Sequence, residues 1–270
     1  MVKKAKKSAE YLQIWKFFRN FAPGSEKSIP QRSKKIMIKQ KIALDIPPIW
    51  EMNPVWATLT FEQRLYVESH LSLVMYRKNE IIYHEGDVPD GVLLLVSGKV
   101  RIYIEDLGTR PQIIRLHKPG DFFGYRSTIA GDTHTTCASA LEDCVFYSVD
   151  TDAFHDLMLR NNNFCYRLLE DMAHDLAMSD MRQVNLTQKH LRGRLADAIH
   201  SLINHYGYAE DGHTLTAHVS REDLANMSNM TTANAIRTLS QFAQEGLLSV
   251  EGKDIYIINE RELINVSKIG

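Results

Sequence analysis

The sequence predicts an α+β chain in which an N-terminal jelly-roll β domain is followed by a long helix and a C-terminal winged helix-turn-helix. Between Leu59 and Asp150, short apolar runs rich in Val and Ile alternate with glycine-containing turns, as in an all-β sandwich or barrel. From Asn161 to Leu191 there is neither Gly nor Pro, and apolar residues recur at three- and four-residue spacing. Two short capped helices and a hairpin pattern then follow. We therefore divide the chain into residues 1–50, 51–160, 161–191 and 192–270.

The composition favours a globular chain without a membrane span. Hydrophobic residues make up 44% of the 270 residues, but no run of about 18 apolar residues occurs, and the N-terminus lacks the apolar core of a signal peptide. The three cysteines, Cys137, Cys144 and Cys165, are an odd number without C-x-x-C spacing. They argue against a disulfide framework and against a four-cysteine metal or iron–sulfur site. We expect a cytoplasmic protein with no cofactor and no metal.

Residues 1–50 have the character of an appendage. The first 41 residues contain 12 of the 32 Lys and Arg residues, although the whole chain has a formal net charge of −1. This composition predicts a flexible basic extension with at most one helical segment. Two roles stay open for it: an arm that binds phosphate groups, and a dispensable extension upstream of a later start at Met37 or Met52.

Residues 51–160 predict the β domain. Thr60 and Gln63 have the spacing of a capping box, which predicts a short helix from this point. Seven of the 14 glycines then lie between Gly86 and Gly131, where they separate the apolar runs. The runs that predict strands are EIIYHEGD, GVLLLVSG, KVRIYIEDLG, PQIIRLHKPGD and ASALEDCVFYSVD. Thr151 and Asp152 begin a helical region.

The long helix of residues 161–191 carries an apolar stripe of about three heptads. An ordinary core helix would show the same periodicity, but the position between a β domain and a helix-turn-helix favours a helix that pairs two copies of the chain. A parallel two-fold homodimer is therefore expected. The predicted seam consists of Cys165, Leu169, Met172, Leu176, Ser179, Gln183 and Leu186.

Residues 192–270 predict a winged helix-turn-helix. An amphipathic segment, RLADAIHSLINHYG, precedes a predicted strand, TLTAHVS. Ser220 caps one short helix and Thr231 caps the next, which Gly246 ends. LLSVEGKDIYII then predicts a hairpin with a short glycine-containing loop.

The second of these short helices predicts a surface that reads double-stranded DNA. Ile236, Leu239, Phe242 and Ala243 form its predicted buried face, and Ala233, Arg237, Gln241 and Gln244 run along the opposite side. Small polar groups at its N-terminus suit phosphates and base edges, while Arg237 suits a guanine edge. Arg221, at the start of the preceding helix, is expected to contact phosphate. The candidate DNA-binding residues are Arg221, Thr231, Thr232, Asn234, Arg237 and Gln241.

From about Leu59 to Ile258 the chain resembles bacterial transcription regulators of the CRP/FNR family. The motifs that carry the resemblance are PGDFFG (Pro119 to Gly124), DMAHDLA in the long helix, and VSREDLANMSNMTTANAIRTLSQFAQEGLL. The resemblance implies a β-roll of the cyclic-nucleotide-binding type, a dimer helix and a winged helix. It further implies DNA and RNA polymerase as partners, and a possible unidentified small-molecule effector.

The chain departs from the cyclic-AMP-responsive members of that family at two anchors. Tyr125 stands where those members carry a ribose-binding Glu, and His134 and Thr135 stand at their phosphate-binding Arg-Ser pair. We therefore expect an effector other than cyclic AMP, or none. Arg126 has two possible roles, as an anion anchor or as a structural ion-pair partner. The residues that the resemblance assigns to an effector pocket are Ile114, Gly124, Tyr125, Arg126, His134, Thr135 and Ser179.

A second function class, different from DNA binding, is compatible with a β-roll. A cupin-type β-roll could be a metal-dependent or small-molecule-binding enzyme with an accessory helical domain. The 11 histidines show neither H-x-H nor H-E-x-x-H spacing, which disfavours a metal site. The sequence therefore favours a regulator, not an enzyme.

Overall fold

A computed structural model describes residues 36–37, 46–105 and 111–269. Most of the predicted extension of residues 1–50 lies outside these ranges. The helices are α1 (Ile49–Met52), α2 (Phe61–Ser69), α3 (Tyr125–Ala130), α4 (Thr151–Arg160), α5 (Asn162–Gln188), α6 (Leu191–Tyr206), α7 (Arg221–Met227), α8 (Thr232–Gln244) and α9 (Glu260–Ile269), with a 3₁₀ turn at Trp56–Thr58. The strands are β1 (Ile36–Met37), β2 (Leu71–Tyr76), β3 (Ile81–Tyr83), β4 (Val92–Ser97), β5 (Val100–Ile104), β6 (Gln112–His117), β7 (Phe122–Phe123), β8 (Cys137–Ala140), β9 (Cys144–Val149), β10 (Leu248–Glu251) and β11 (Asp254–Ile257).

The N-terminal part is a β-sandwich, as the sequence predicts. One sheet has the strand order β1-β2-β9-β4-β7 and the other has the order β3-β8-β5-β6, with antiparallel pairing throughout. Leu95, Phe123 and Phe146 pack together in the core between the sheets. A second core lies between the five-stranded sheet and helices α4 and α5, around Trp56, Phe154 and Phe164. The predicted fold class is confirmed.

Two local predictions need correction. The run ASALEDCVFYSVD is two strands, β8 and β9, because the chain passes at Leu141–Asp143 from the four-stranded sheet to the five-stranded one. TLTAHVS is not a strand: it forms isolated bridges, at Leu215 with Tyr208 after α6 and at Thr214 with Tyr256 of the hairpin. The elements that the sequence did not predict are β1, β2, β7, α1, α3 and α9.

The packed structure begins before residue 51. Ile49 is buried, and the Tyr147 hydroxyl donates a hydrogen bond to the Pro47 carbonyl across the sheet (3.3 Å). The capping box predicted at Thr60 and Gln63 is present at the start of α2. Residues 46–50 therefore belong to the sandwich packing instead of to the extension.

Helix α5 begins at its N-cap Asn161, whose side chain accepts a hydrogen bond from the Phe164 backbone N–H (2.9 Å). Part of its predicted seam faces the body of the same chain. Met172 packs against the sandwich core, and Cys165 and Leu186 are half-buried. Leu169, Leu176, Ser179 and Gln183 are exposed. The exposed apolar face of the helix also includes residues outside the predicted seam: Tyr166, Met178, Met181 and Val184.

The C-terminal part is a winged helix-turn-helix. Ser220 and Asp223 form a capping box at the start of α7, and Thr231 caps α8, as the sequence predicts. The hairpin β10–β11 turns at Gly252 and Lys253. Leu239 and Phe242 are buried as predicted, but Ile236 and Ala243 are exposed. The inner face is completed instead by Ala235 and Thr238, because α8 packs at a slightly different rotation against α6 and α7.

The helix-turn-helix is docked on the outer face of the β5–β6 pair. Tyr103 and Ile113 share one buried cluster with residues of α6 to α8, whereas Ile102 lies inside the sandwich. A register irregularity between Ile102 and Tyr103 places Ile102 opposite Arg115 and Tyr103 opposite Ile113. Residues that lie opposite each other in an antiparallel pair point to the same face of the sheet, so Arg115 lies on the inner side with Ile102. The extra residue of the bulge, Ile114, packs against the sandwich core, whereas Ile113 faces the C-terminal domain.

Candidate functional site

Helix α8 presents a polar outer edge. Ala233, Arg237, Gln241 and Gln244 are all exposed, on the side opposite the buried Leu239. Among the residues that the structure describes, Arg237 has no hydrogen bond or ion pair. At the N-terminus of the helix, the Thr231 hydroxyl accepts a hydrogen bond from the Asn234 backbone N–H (3.0 Å). This edge offers a free guanidinium and amides at the spacing of successive helical turns, which suits base edges in a major groove.

The turn and the wing fix the orientation of this edge. Asn229 adopts a left-handed backbone (φ 48°) between α7 and α8, a conformation that Asn tolerates better than most residues. Arg221, at the first position of α7, donates a hydrogen bond to the Gly252 carbonyl at the tip of the wing (2.8 Å). Arg221 therefore links the first helix to the wing, and its remaining N–H groups face no partner among the described residues.

A groove of about 330 Å³ separates the outer edge of α8 from the start of α6. On one side lie His190, Leu191 and Arg192, and on the other Asn234, Arg237, Thr238 and Gln241. Arg192 forms an ion pair with Glu245 and lies over the Phe242 ring at 4.9 Å. The N-terminus of α6 is thereby held against α8, and the groove places backbone N–H groups beside the predicted reading edge.

A second cluster lies where α5 crosses the sandwich. Arg115 Nη1 is 2.8 Å from Asp175 Oδ2, Arg126 Nη2 is 3.0 Å from it, and the Tyr125 hydroxyl donates to the same oxygen at 3.0 Å. Burial and the Asp175 carboxylate raise the pKa of Tyr125 to about 12, so the phenol stays protonated as a donor. Burial lowers the pKa of Arg115, while Asp175 opposes that shift. We call Arg115, Tyr125, Arg126 and Asp175 the carboxylate cluster.

The predicted pocket residues are only partly brought together. Gly124 (φ 88°) is the N-cap of α3, and the two residues after it, Tyr125 and Arg126, contact Asp175 in the carboxylate cluster. His134 is buried and stacks on Tyr83, with ring centroids 3.8 Å apart. Its side chain has no hydrogen bond to the carboxylate cluster. Ile114 contributes its carbonyl to Arg182 (2.6 Å), and Thr135 and Ser179 are exposed.

A third group of ionisable residues lies at the contact of the sandwich with α6. Asp121 Oδ2 is 3.5 Å from His117 Nδ1 and 3.3 Å from His205 Nε2. Burial lowers the pKa of His117, with the charges of Arg115 and His205 adding to that effect and Asp121 opposing it. Burial alone would raise the pKa of Asp121, but the two histidines beside it and the Lys118 N–H, which donates to Oδ2, hold this pKa below its usual range. His117 is therefore neutral at neutral pH, and its ring nitrogens interact with Asp121 without a full positive charge.

Two further features of the described residues bear on the alternative functions. Within the described ranges, no three His, Cys, Asp or Glu side chains lie in an arrangement that could hold a metal ion. None of the helices in the same ranges is long and apolar enough to cross a membrane.

Known families match both parts of the chain. Residues 73–161 match the model of the cyclic nucleotide-binding domain, and residues 193–266 match the model of the Crp-like helix-turn-helix domain. The chain belongs to the CRP/FNR family. It is a CRP/FNR-type transcription regulator with a helix-turn-helix DNA-binding domain.

Individual relatives agree with this assignment. The regulator is 27% identical over 194 residues to an anaerobic regulatory protein of Aggregatibacter actinomycetemcomitans, which covers 71% of this chain and 74% of that protein. It is 24% identical over 194 residues to a CRP-like cAMP-activated global transcriptional regulator of Mycobacterium tuberculosis, covering 72% and 87%. Its fold is similar to that of FixK2 from Bradyrhizobium japonicum, with a TM-score of 0.66, 26% identity, and coverage of 73% and 96%. These similarities favour a regulator over the cupin-type enzyme.

Sequence reasoning missed three contacts that connect the parts of the regulator. Arg115 binds Asp175, Arg101 binds Asp223 across the domain contact (2.6 Å), and Arg182 of α5 donates to carbonyls of β6 and α7. A charged residue inside the apolar run QIIRLH is the one signal that could have drawn attention to Arg115. Its partner, 60 residues later, has no local signal.

Proposed function

We propose that this regulator binds an inverted-repeat DNA site as a homodimer, with α8 of each copy in the major groove. The observation that carries the proposal is the outer edge of α8, where Arg237 and Gln241 are exposed and lie beside the groove to α6. A guanidinium without an intramolecular partner can contact a base edge without first breaking another contact, because all of its N–H donors are available. Within the structured ranges, Arg237 meets this condition.

The proposed contacts divide into two kinds. Arg237 reads a guanine edge, and Gln241 a neighbouring position one turn along the helix. Thr231, Thr232 and Asn234 at the helix N-terminus meet phosphates or base edges, and Arg221 meets a phosphate while keeping its bond to the wing. Phosphate contacts set the register, and only the base contacts discriminate between sequences.

The proposed dimer forms through the exposed side of α5. Leu176 is 64% exposed and Leu169 is 57% exposed, within an apolar face about four helical turns long. Such a face is unusual on a monomer and suits a parallel two-fold pair of helices. The dimer would place two reading helices at half-sites separated by about one DNA turn, roughly 34 Å. RNA polymerase is a further proposed partner, on the basis of family membership.

Cyclic AMP is not the proposed effector. The relative from Mycobacterium tuberculosis is described as cAMP-activated, but at the phosphate anchor of such proteins this chain has His134, whose pKa is lowered mainly by burial. A neutral imidazole stacked on Tyr83 is a poor partner for a buried phosphodiester. Arg126 and Tyr125, the other candidates, already bind Asp175. The regulator therefore binds DNA without cyclic AMP, and any effector has a different chemistry.

The proposal is tested by selecting DNA from a random pool with the purified full-length chain, without added nucleotide. Recovered sequences should contain two inverted half-sites whose centres lie about one helical turn apart. Calorimetry with cyclic AMP should show no heat of binding. Recovery of a single asymmetric site, or selection only when cyclic AMP is present, would count against the homodimer or the effector proposal respectively.

A further inference from the structure

The carboxylate cluster is assembled from two different parts of the chain. Its three donors belong to the sandwich: Arg115 on β6, and Tyr125 and Arg126 at the start of α3. Its acceptor, Asp175, belongs to α5. All three donors contact the same oxygen, Oδ2, at 2.8 to 3.0 Å. The sandwich thus holds a set of cationic donors, and the acceptor that they share among the described residues comes from the long helix.

The backbone of the sandwich aims these donors independently of α5. Arg115 lies opposite Ile102 in the pairing of β6 with β5, which places it on the inner side of its sheet. Gly124, with φ 88°, allows the sharp turn after which Tyr125 packs on Phe122 with ring centroids 4.8 Å apart. Arg115 has a side-chain exposure of 26%, and Arg126 of 50%, so one cation is largely shielded and the other is at the opening.

The charges at this place do not balance. Arg182, two turns after Asp175 on α5, lies close enough to Arg115 that the two charges act on each other, and burial together with Arg115 lowers the pKa of Arg182. Among the described residues, Arg182 donates to the carbonyls of Ile113, Ile114 and Met227 and to no carboxylate. Two guanidinium groups therefore share the Asp175 carboxylate, and Arg182 adds a third positive charge close to Arg115. Without that carboxylate, the half-buried cations would be unpaired, which is energetically unfavourable, so an anion should bind there.

We propose that Arg115, Tyr125 and Arg126 form an oxyanion-binding site whose built-in occupant is the Asp175 carboxylate. The site has the donor chemistry that fits a carboxylate or a phosphate oxygen, namely two guanidinium forks and a hydroxyl. Because Asp175 is tethered to α5, its effective concentration exceeds that of an ordinary free anion. The contact that a bound anion would make between sandwich and long helix is consequently present without any ligand. The proposal deepens the effector-independent binding proposed above, but its test contains no DNA and so can fail separately.

The test replaces the tethered anion by a free one. Full-length Asp175→Ala should have a melting temperature lower by roughly 5 °C, as expected for loss of a charged hydrogen-bond acceptor. Sodium acetate should restore at least half of the loss, with half-saturation at about 10–100 mM, a range typical of weak single-group binding. Sodium chloride at equal ionic strength is the control for screening. Asp180→Ala, an exposed carboxylate on the same helix, is the matched control and should respond equally to both salts.

The outcomes separate cleanly. Recovery with acetate and with inorganic phosphate, but not with chloride, supports an oxyanion site. An identical response of Asp175→Ala to acetate and chloride, or a melting temperature equal to that of the wild type, overturns it. If Asp175→Ala does not fold in chloride, refolding in acetate at equal ionic strength is the same test. The double variant Asp175→Ala/Arg126→Gln should then lose most of the acetate response, since one of the two cationic forks is gone.

Discussion

The ion pair between Arg101 and Asp223 should stabilise the contact between the two domains. Arg101 Nη1 lies 2.6 Å from Asp223 Oδ1, and the side chains are 28% and 9% exposed. Exposed pairs contribute about 0–1 kcal/mol, whereas breaking a fully buried pair costs about 3–5 kcal/mol. Asp223 also accepts from the Ser220 hydroxyl (2.7 Å) and backbone, so removal of Arg101 does not leave it without a donor. We therefore expect Arg101→Ala to lower the free energy of unfolding by about 2 kcal/mol.

The assay is urea denaturation followed by two signals at one protein concentration. Trp50 and Trp56 both lie in the sandwich part, so their fluorescence reports its unfolding, while far-ultraviolet circular dichroism is dominated by helices throughout the described chain. The two curves should coincide for the wild type and for Arg101→Ala, so that one free energy of unfolding describes each protein, and the variant's transition should lie at lower urea concentration. Asp223→Asn and the double variant complete a thermodynamic cycle, whose expected coupling is about 1–2 kcal/mol. Arg160→Ala, which removes an exposed ion pair with Asp156, is the matched control. A loss no larger than that of the control, or zero coupling in the cycle, would refute the reasoning.

Three further predictions follow from the same structure. Burial lowers the folded-state pKa of His117 below 6.5, so the unfolded chain takes up a proton at a higher pH than the folded chain does. The stabilisation by neutral His117 should therefore be complete above pH 6.5. Below pH 6.5 the free energy of unfolding should decrease by up to about 1.4 kcal/mol per pH unit. Melting curves between pH 8 and 5.5 should show this slope, and a His117→Gln variant with an unchanged slope would contradict it. Leu176→Asp should give monomers in light scattering that bind the selected DNA at least tenfold more weakly, whereas Val88→Asp, at an exposed apolar position on the sandwich, should leave the dimer intact. Arg237→Ala should cost about 1–3 kcal/mol on selected DNA and relax one base position per half-site, while Arg221→Ala should weaken all sequences alike and reduce the salt slope by about one. Equal losses on random and selected DNA for Arg237→Ala would remove its base-reading role.

The caps of three helices, the hairpin and the β-sandwich were predictable because local rules decide them. Thr60, Ser220 and Thr231 cap their helices as their spacing predicts, and the hairpin after Leu247 forms around a glycine-containing loop. Glycine positions and runs of β-branched residues likewise predict the β-sandwich. These signals depend on backbone groups within four residues of one another, so they survive in a single sequence.

The sequence was a weaker guide to which face of a helix is covered. Met172 is in the predicted seam but packs on the sandwich, and Ile236 is in the predicted core of α8 but is 48% exposed. A periodic pattern shows that a helix has an apolar side, but α5 has apolar residues around more than half of its circumference. The rotation of the helix is then decided by the surface on which it packs.

The sequence by itself determined the order of the parts, the caps of the helices and the loss of two cyclic-AMP anchors. Only the tertiary structure decided the partner of Arg126, because Asp175 is 49 residues away and nothing local links them. It also decided that Ile114 packs in the sandwich while Ile113 faces the C-terminal domain, since one irregularity in the pairing of β5 with β6 shifts the alternation expected from the run QIIRLH. Both results depend on distant chain segments meeting in space. Local propensity carries no information about contacts between distant segments, whereas a buried charge needs a partner from such a segment.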